Sequence, residues 1–148
     1  MMEAGQIRLY RRSILISLLV VVPLGFATKF YRGPGARWFN DSAGGILYEL
    51  FWCLLASFMR PTAPVFWIAA CVFGITCFLE CLQLWHPVFL EVIRSAFIGR
   101  TLIGTSFTWW DFPYYAIGCV LAWAGMYFFR RFLGKKIDSA GGVDTKKL

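Results

Sequence analysis

The sequence predicts an all-α, polytopic integral membrane protein, with four transmembrane helices plus an outer segment that is interfacial or re-entrant. Three observations carry this reading. The chain is 59% hydrophobic and 16% charged, whereas soluble domains average about half apolar and about a quarter charged. Its apolar residues fall in long blocks, and its aromatic content of 19%, with seven Trp, suits interfacial belts. Its charges also divide into two sets. Arg8, Arg11, Arg12, Arg60, Arg130, Arg131, Lys135, Lys136, Lys146 and Lys147 make ten cations at the chain ends and in one short loop. With Glu3, Asp138 and Asp144 they supply the whole net charge of +7. The other cations (Lys29, Arg32, Arg37, Arg94, Arg100) cancel Asp41, Glu49, Glu80, Glu91 and Asp111. One side of a membrane thus carries all the excess charge, as the positive-inside rule requires. The basic ends set orientation and offer an anionic-lipid contact; nucleic acid is not an expected partner.

Each element follows from local signals. Arg8, Arg11 and Arg12 precede an uncharged run from Ser13 to Thr28. A basic start and an apolar stretch resemble a signal peptide, but no small-residue cleavage site follows. A retained first span over 13–31 is expected, kinked at Pro23. Lys29 reaches the outer interface by snorkelling. Residues 32–45, rich in Gly and holding Pro34, Trp38, Asn40 and Asp41, read as an outer loop. The second span is 44–59, short and carrying Glu49; Arg60-Pro61-Thr62-Ala63-Pro64 is a tight inner turn. The third span is 65–85, uncharged until Glu80 and ended by His86-Pro87.

Residues 88–110 are too short and too charged in each half to span. Leu90, Ile93 and Phe97 make an apolar stripe and Glu91, Arg94 and Ser95 a polar one, with Gly99 and Gly104 interrupting. Asp111 stands as an N-cap, with Pro113 in the first turn, opening a fourth span over 111–129. Gly118 and Ala122, spaced four apart, allow close helix contact and a homo-oligomer through that face. Residues 130–148 read as a disordered basic tail. The domain plan is a basic N-terminus (1–12), one membrane domain (13–129) and that tail, with both termini cytoplasmic.

Cys53, Cys71, Cys77, Cys81 and Cys119 all lie inside apolar blocks and read as small buried apolar residues. Cys77 and Cys81, spaced i, i+4, lack further ligands, so no metal and no cofactor is expected. The intramembrane carboxylates are the sharpest chemical signal. Glu80 lies five residues before the outer end of the third span, about 7–8 Å deep at ~1.5 Å per residue, and Glu49 lies comparably deep in the second. A charge in hydrocarbon costs at least ~2.5–3.5 kcal/mol, so each acid needs a partner facing the bundle interior. Lys29, Arg94 and Arg100 are available, and Gln83 lies one turn from Glu80.

These residues compose a candidate outward-facing pocket of Glu49, Glu80, Gln83, Arg94, Arg100, Asp111 and Lys29. Arginines there suit a phosphate or carboxylate head group. The alternative is a structural ion-pair network that pins 88–110 to the bundle. Asp111 by itself reads as a helix cap and His86 as a lone interfacial residue. Trp38, Trp85, Trp109 and Trp110 most simply form the outer aromatic belt. No Ser/His/Asp arrangement or Gly-rich phosphate loop is present, and no catalytic residue is assigned.

Several runs together resemble a family of small bacterial inner-membrane proteins known as a domain of unknown function, DUF2809, itself distantly VanZ-like. They are Thr28-Lys29-Phe30-Tyr31-Arg32-Gly33-Pro34-Gly35, Glu80-Cys81-Leu82-Gln83, and Arg94-Ser95-Ala96-Phe97-Ile98-Gly99-Arg100 with Leu102-Ile103-Gly104. Phe107-Thr108-Trp109-Trp110-Asp111 follows, leading into Tyr115 and Gly118. The resemblance covers roughly residues 24–124. The VanZ-like pattern carries Asn where Tyr115 stands, so no ligand contact transfers to that position. The resemblance implies a multi-pass protein of the bacterial inner membrane, linked for VanZ itself to tolerance of a lipid-directed glycopeptide antibiotic.

The expected function is therefore a cell-envelope protein that binds a lipid or peptidoglycan-precursor head group, its partners being membrane lipids and an anionic or lipid-linked envelope precursor. Arg94 and Arg100 would bind the anionic group, and Glu80 with Gln83 would orient them. The alternatives are a small transporter or flippase component using Glu49 or Glu80, a structural or assembly protein, and, ranked last, an enzyme acting on a lipid-linked substrate.

Overall fold

The computed structural model describes residues 4–84, 92, 95, 96 and 107–141, and every long element among them is a helix. α1 is Ala4–Phe30, α2 is the single turn Ala36–Trp38, α3 is Gly44–Met59, α4 is Val65–Leu82 and α5 is Asp111–Gly141. A π-helical turn, Phe39–Ala43, joins α2 to α3. α1, α4 and the Asp111–Gly134 part of α5 are long and apolar enough to cross a membrane, and α3 is a shorter apolar helix. The chain is a membrane protein of all-α class.

The interior is drawn from one stripe per helix, at the spacing of three or four residues that places side chains on one face. α1 contributes Tyr10, Ile14 and Leu18, and α3 contributes Glu49, Cys53, Leu54 and Ser57. α4 gives Val65, Ile68, Ala69, Thr76 and Glu80; α5 gives Cys119, Ala122, Met126 and Leu133. α3 and α5 form the central pair, with α1 packed on both and α4 on both. Large apolar side chains elsewhere, such as Ile16, Leu19, Phe66 and Phe132, point outward, as a lipid-facing surface requires.

The two ends of the bundle are tied differently. At the first, the Tyr10 hydroxyl and Ser57 Oγ share a hydrogen bond of 2.6 Å between α1 and α3. Arg130 Nη2 donates to the Pro61 carbonyl at 2.8 Å, and its guanidinium lies over the Tyr10 ring at 5.0 Å. Arg11 covers the Phe58 ring at 5.6 Å. This end gathers the basic start of α1, the turn at Arg60 and Arg130 of α5. At the other end, Trp38 Nε1 donates to the Tyr114 hydroxyl at 3.1 Å, and Trp38, Trp109 and Trp110 are all exposed.

Several expectations change. α1 starts at Ala4, ahead of 13, and continues through Pro23, whose missing N–H leaves only the Leu19 carbonyl without its helical donor. The expected loop at 32–45 is helical from Ala36 onward, entered through Gly35 at φ 74°, a left-handed conformation that glycine adopts without strain. α4 ends at Leu82, short of 85. α5 runs on past 129 to Gly141, so the first part of the expected disordered tail is helix. Cys53 and Cys119 are buried as expected, whereas Cys71 and Cys81 are exposed on the outer face of α4. Trp85, His86 and all but a few residues of 88–110 lie outside the described residues.

Candidate functional site

Glu80 and Glu49 stand near the end of the bundle that carries Trp38 and Trp109, on α4 and α3, with α5 between them. Glu80 is 2% exposed and Glu49 is fully buried. The i, i+3 spacing of Glu80 and Gln83 places Gln83 Nε2 2.8 Å from Glu80 Oε2. The Tyr115 hydroxyl donates to the same oxygen at 3.1 Å, and the Thr108 backbone N–H donates to Oε1 at 3.0 Å. Both Glu80 oxygens are therefore taken by the protein itself. This carboxylate bridges α4, the second turn of α5 and the residue three ahead of that helix.

Glu49 is treated differently. Cys119 Sγ donates to its Oε2 at 3.0 Å, and Oε1 has no hydrogen-bond partner among the described residues. Thr76 faces this carboxylate from α4, but its hydroxyl donates to the Val72 carbonyl at 2.9 Å. Gln83 Oε1 is also buried without a partner among the described residues. The two polar atoms of the cluster without a partner among the described residues are both acceptors, and the Tyr115 hydroxyl, the Thr108 N–H and one N–H of Gln83 are already engaged by Glu80. An unsatisfied buried acceptor costs about 1–3 kcal/mol, and what these two oxygens lack among the described residues is a hydrogen-bond donor or a positive charge.

The sequence-selected residues do not all meet. Glu49, Glu80 and Gln83 share the interior, covered by the protein where an open pocket is expected. Asp111 is the first residue of α5, one position inside the helix rather than at its cap, at the positive end of the helix dipole. Lys29 lies on the α1/α3 side, where its Nζ donates to the Asn40 carbonyl at 3.0 Å. Arg94 and Arg100 lie outside the described residues. Gly118 and Ala122 are buried against the chain's own helices: a Cβ at Gly118 would stand 2.7 Å from Glu49 Cβ and 2.8 Å from the Ile46 carbonyl oxygen.

Tyr115, Cys119, Thr108 and Thr76 are the members that the sequence reading leaves out. Tyr115 and Cys119 lie on the same α5 stripe as Gly118, at i, i+4, and that spacing is the one available signal for them. Among the described residues, no group of three or more His, Cys, Asp or Glu is placed to hold a metal ion.

The family model described as a protein of unknown function, DUF2809, matches residues 35–119, a stretch that includes Glu49, Glu80, Gln83, Tyr115, Gly118 and Cys119. Neither a curated protein nor a solved structure matches the chain.

Proposed function

The chain belongs to the DUF2809 family, and from that premise we propose that its buried polar cluster binds the head group of a lipid or lipid-linked envelope precursor. One observation carries the reading: Glu49 Oε1 and Gln83 Oε1 are buried acceptors without donors among the described residues, inside a membrane protein. A head-group amine or sugar hydroxyl supplies the donors these oxygens lack. Glu80 holds Gln83, Thr108 and Tyr115 in place, and Arg94 and Arg100 are proposed to take the phosphate of the same ligand. In this reading α3 is a fourth span, short at about 24 Å against a hydrocarbon core of ~30 Å. The protein sits in a bacterial inner membrane with both termini in the cytoplasm, and reporter fusions at each end test that orientation.

Native mass spectrometry of the full chain in mild detergent tests the binding. The wild type is expected to retain a defined lipid mass that Glu49→Gln and Gln83→Leu lose while keeping a cooperative thermal transition. Retention of nothing by the wild type, or equal retention by the folded variants, overturns the reading.

The depth of Glu49 favours a second reading, a small transporter or flippase component with a proton-linked carboxylate. Lipid or solute flux in proteoliposomes that follows a pH gradient and disappears in Glu49→Gln supports it. Flux that ignores pH in both forms removes it.

A further inference from the structure

On the side of α3 turned away from Glu49, α1 and α3 enclose a groove of about 340 Å³. Its walls are apolar, with Val21 and Phe26 from α1 facing Leu47 and Phe51 from α3, and Lys29 closes its outer end. Two glycines keep it open. A Cβ at Gly25 would meet nothing within 4 Å, and one at Gly44 would come no nearer than 3.6 Å, to Lys29 Nζ. A second groove of about 330 Å³ lies between α4 and α5, walled by Phe73, Val120 and Trp123 among others, and its lining holds no charged residue.

We infer that the α1/α3 groove is a site for an anionic glycerophospholipid, one acyl chain lying between the helices and the phosphodiester on Lys29. The site is independent of the Glu49 cluster. An apolar groove on a bilayer-facing surface is filled by hydrocarbon, and charge complementarity selects which lipid fills this one. The Lys29 ammonium has three donors, of which, among the described residues, the Asn40 carbonyl takes one at 3.0 Å. It sits in the last turn of α1, and Arg32 follows three residues later, past the end of the helix, on the exposed surface. A phosphodiester at that depth meets the Lys29 ammonium while its chain runs down past Gly25. The α4/α5 groove, with a similar volume and no cation in its lining, takes chains without regard to head group.

The test is titration of the full chain in mild detergent with phosphatidylglycerol or phosphatidylcholine of identical chains, read by native mass spectrometry. One basic contact at a membrane surface corresponds to a preference of about fivefold for the anionic lipid. Lys29→Gln is expected to abolish the preference, Lys29→Arg to retain it, and Gly25→Trp to remove the tight lipid altogether by filling the groove. Equal binding of the two lipids by the wild type overturns the proposal, as does a preference that survives Lys29→Gln. A preference that survives Gly25→Trp also overturns it, because the anion would then bind Lys29 without a chain in the groove. Glu49→Gln leaves this preference unchanged, so the failure of either reading is visible separately.

Discussion

Gly118 backs directly onto Glu49, and the missing side chain is what allows α3 and α5 to meet at the level of the buried acid. A Cβ there would also stand 3.2 Å from Ile46 Cα, so one of its neighbours is backbone that cannot swing away. Gly118→Ala is therefore expected to destabilise, by about 1–3 kcal/mol, the range for overpacking a close contact. Thermal unfolding in detergent measures it. Gly125, whose added Cβ would meet nothing within 4 Å, is the control: Gly125→Ala is expected to be neutral or slightly stabilising, because alanine is the better helix former.

Glu80 collects three donors from three separate parts of the chain, so its loss is felt by all of them. Glu80→Ala leaves the Thr108 N–H, the Gln83 amide and the Tyr115 hydroxyl without their acceptor, an expected cost of about 2–4 kcal/mol. Tyr115→Phe removes a single donor to a carboxylate and is expected to cost about 1.5–3 kcal/mol. The double variant should cost less than the two summed, because the shared hydrogen bond is lost only once. Additive effects would place Tyr115 outside the Glu80 network.

The first part of the supposed tail belongs to the bundle. Arg130 donates to the Pro61 carbonyl and covers Tyr10, and Leu133 beyond it is 8% exposed. Truncation after Phe129 is expected to lower the melting temperature or abolish accumulation, whereas truncation after Gly141 is expected to be silent. Arg130→Gln measures the guanidinium alone, with an expected loss of about 1–3 kcal/mol from the charged hydrogen bond and the ring contact together. Equal stability of both truncations would show that the contacts at Arg130 contribute nothing.

What the sequence made legible follows from the range of each signal. The apolar block at Gly44–Met59 and the Glu80–Gln83 pairing depend on neighbours within a turn or on prolines at 61 and 64, and both appear in the structure. The continuation of α5 through Arg130 was hidden because paired arginines mark the end of an apolar block. The partner that stabilises Arg130 lies 69 residues earlier in the chain. Gly118 was recognisable as a site of close approach, but nothing in the sequence says which helix approaches. That register, set by α5 against α3, is also what brings Cys119 to Glu49, 70 residues away. Helical entry from Ala36 was masked by a Gly-Pro-Gly run that does break the chain, though only as far as Gly35.

Glu49 and Glu80 make opposite predictions although they are the same residue type at similar depth. Glu80 has every oxygen satisfied by the chain, so neutralising it should weaken the bundle: Glu80→Gln replaces one acceptor with a donor that faces existing donors. Among the described residues, Glu49 has one bond from a thiol, a weak donor, and one oxygen with none. Burying that carboxyl group is a net cost to the fold, because among the described residues it receives one weak hydrogen bond and no charged partner in a low-dielectric interior. Glu49→Gln is therefore expected to be neutral or to raise stability by about 1 kcal/mol, while Glu80→Gln lowers it by about 1–3 kcal/mol. Paired thermal melts in the same detergent decide the matter. If Glu49→Gln melts higher yet loses the retained lipid, the carboxylate is kept for its ligand at the expense of the fold. If it melts as low as Glu80→Gln, Glu49 is a packing element, and the head-group reading loses the residue on which it rests.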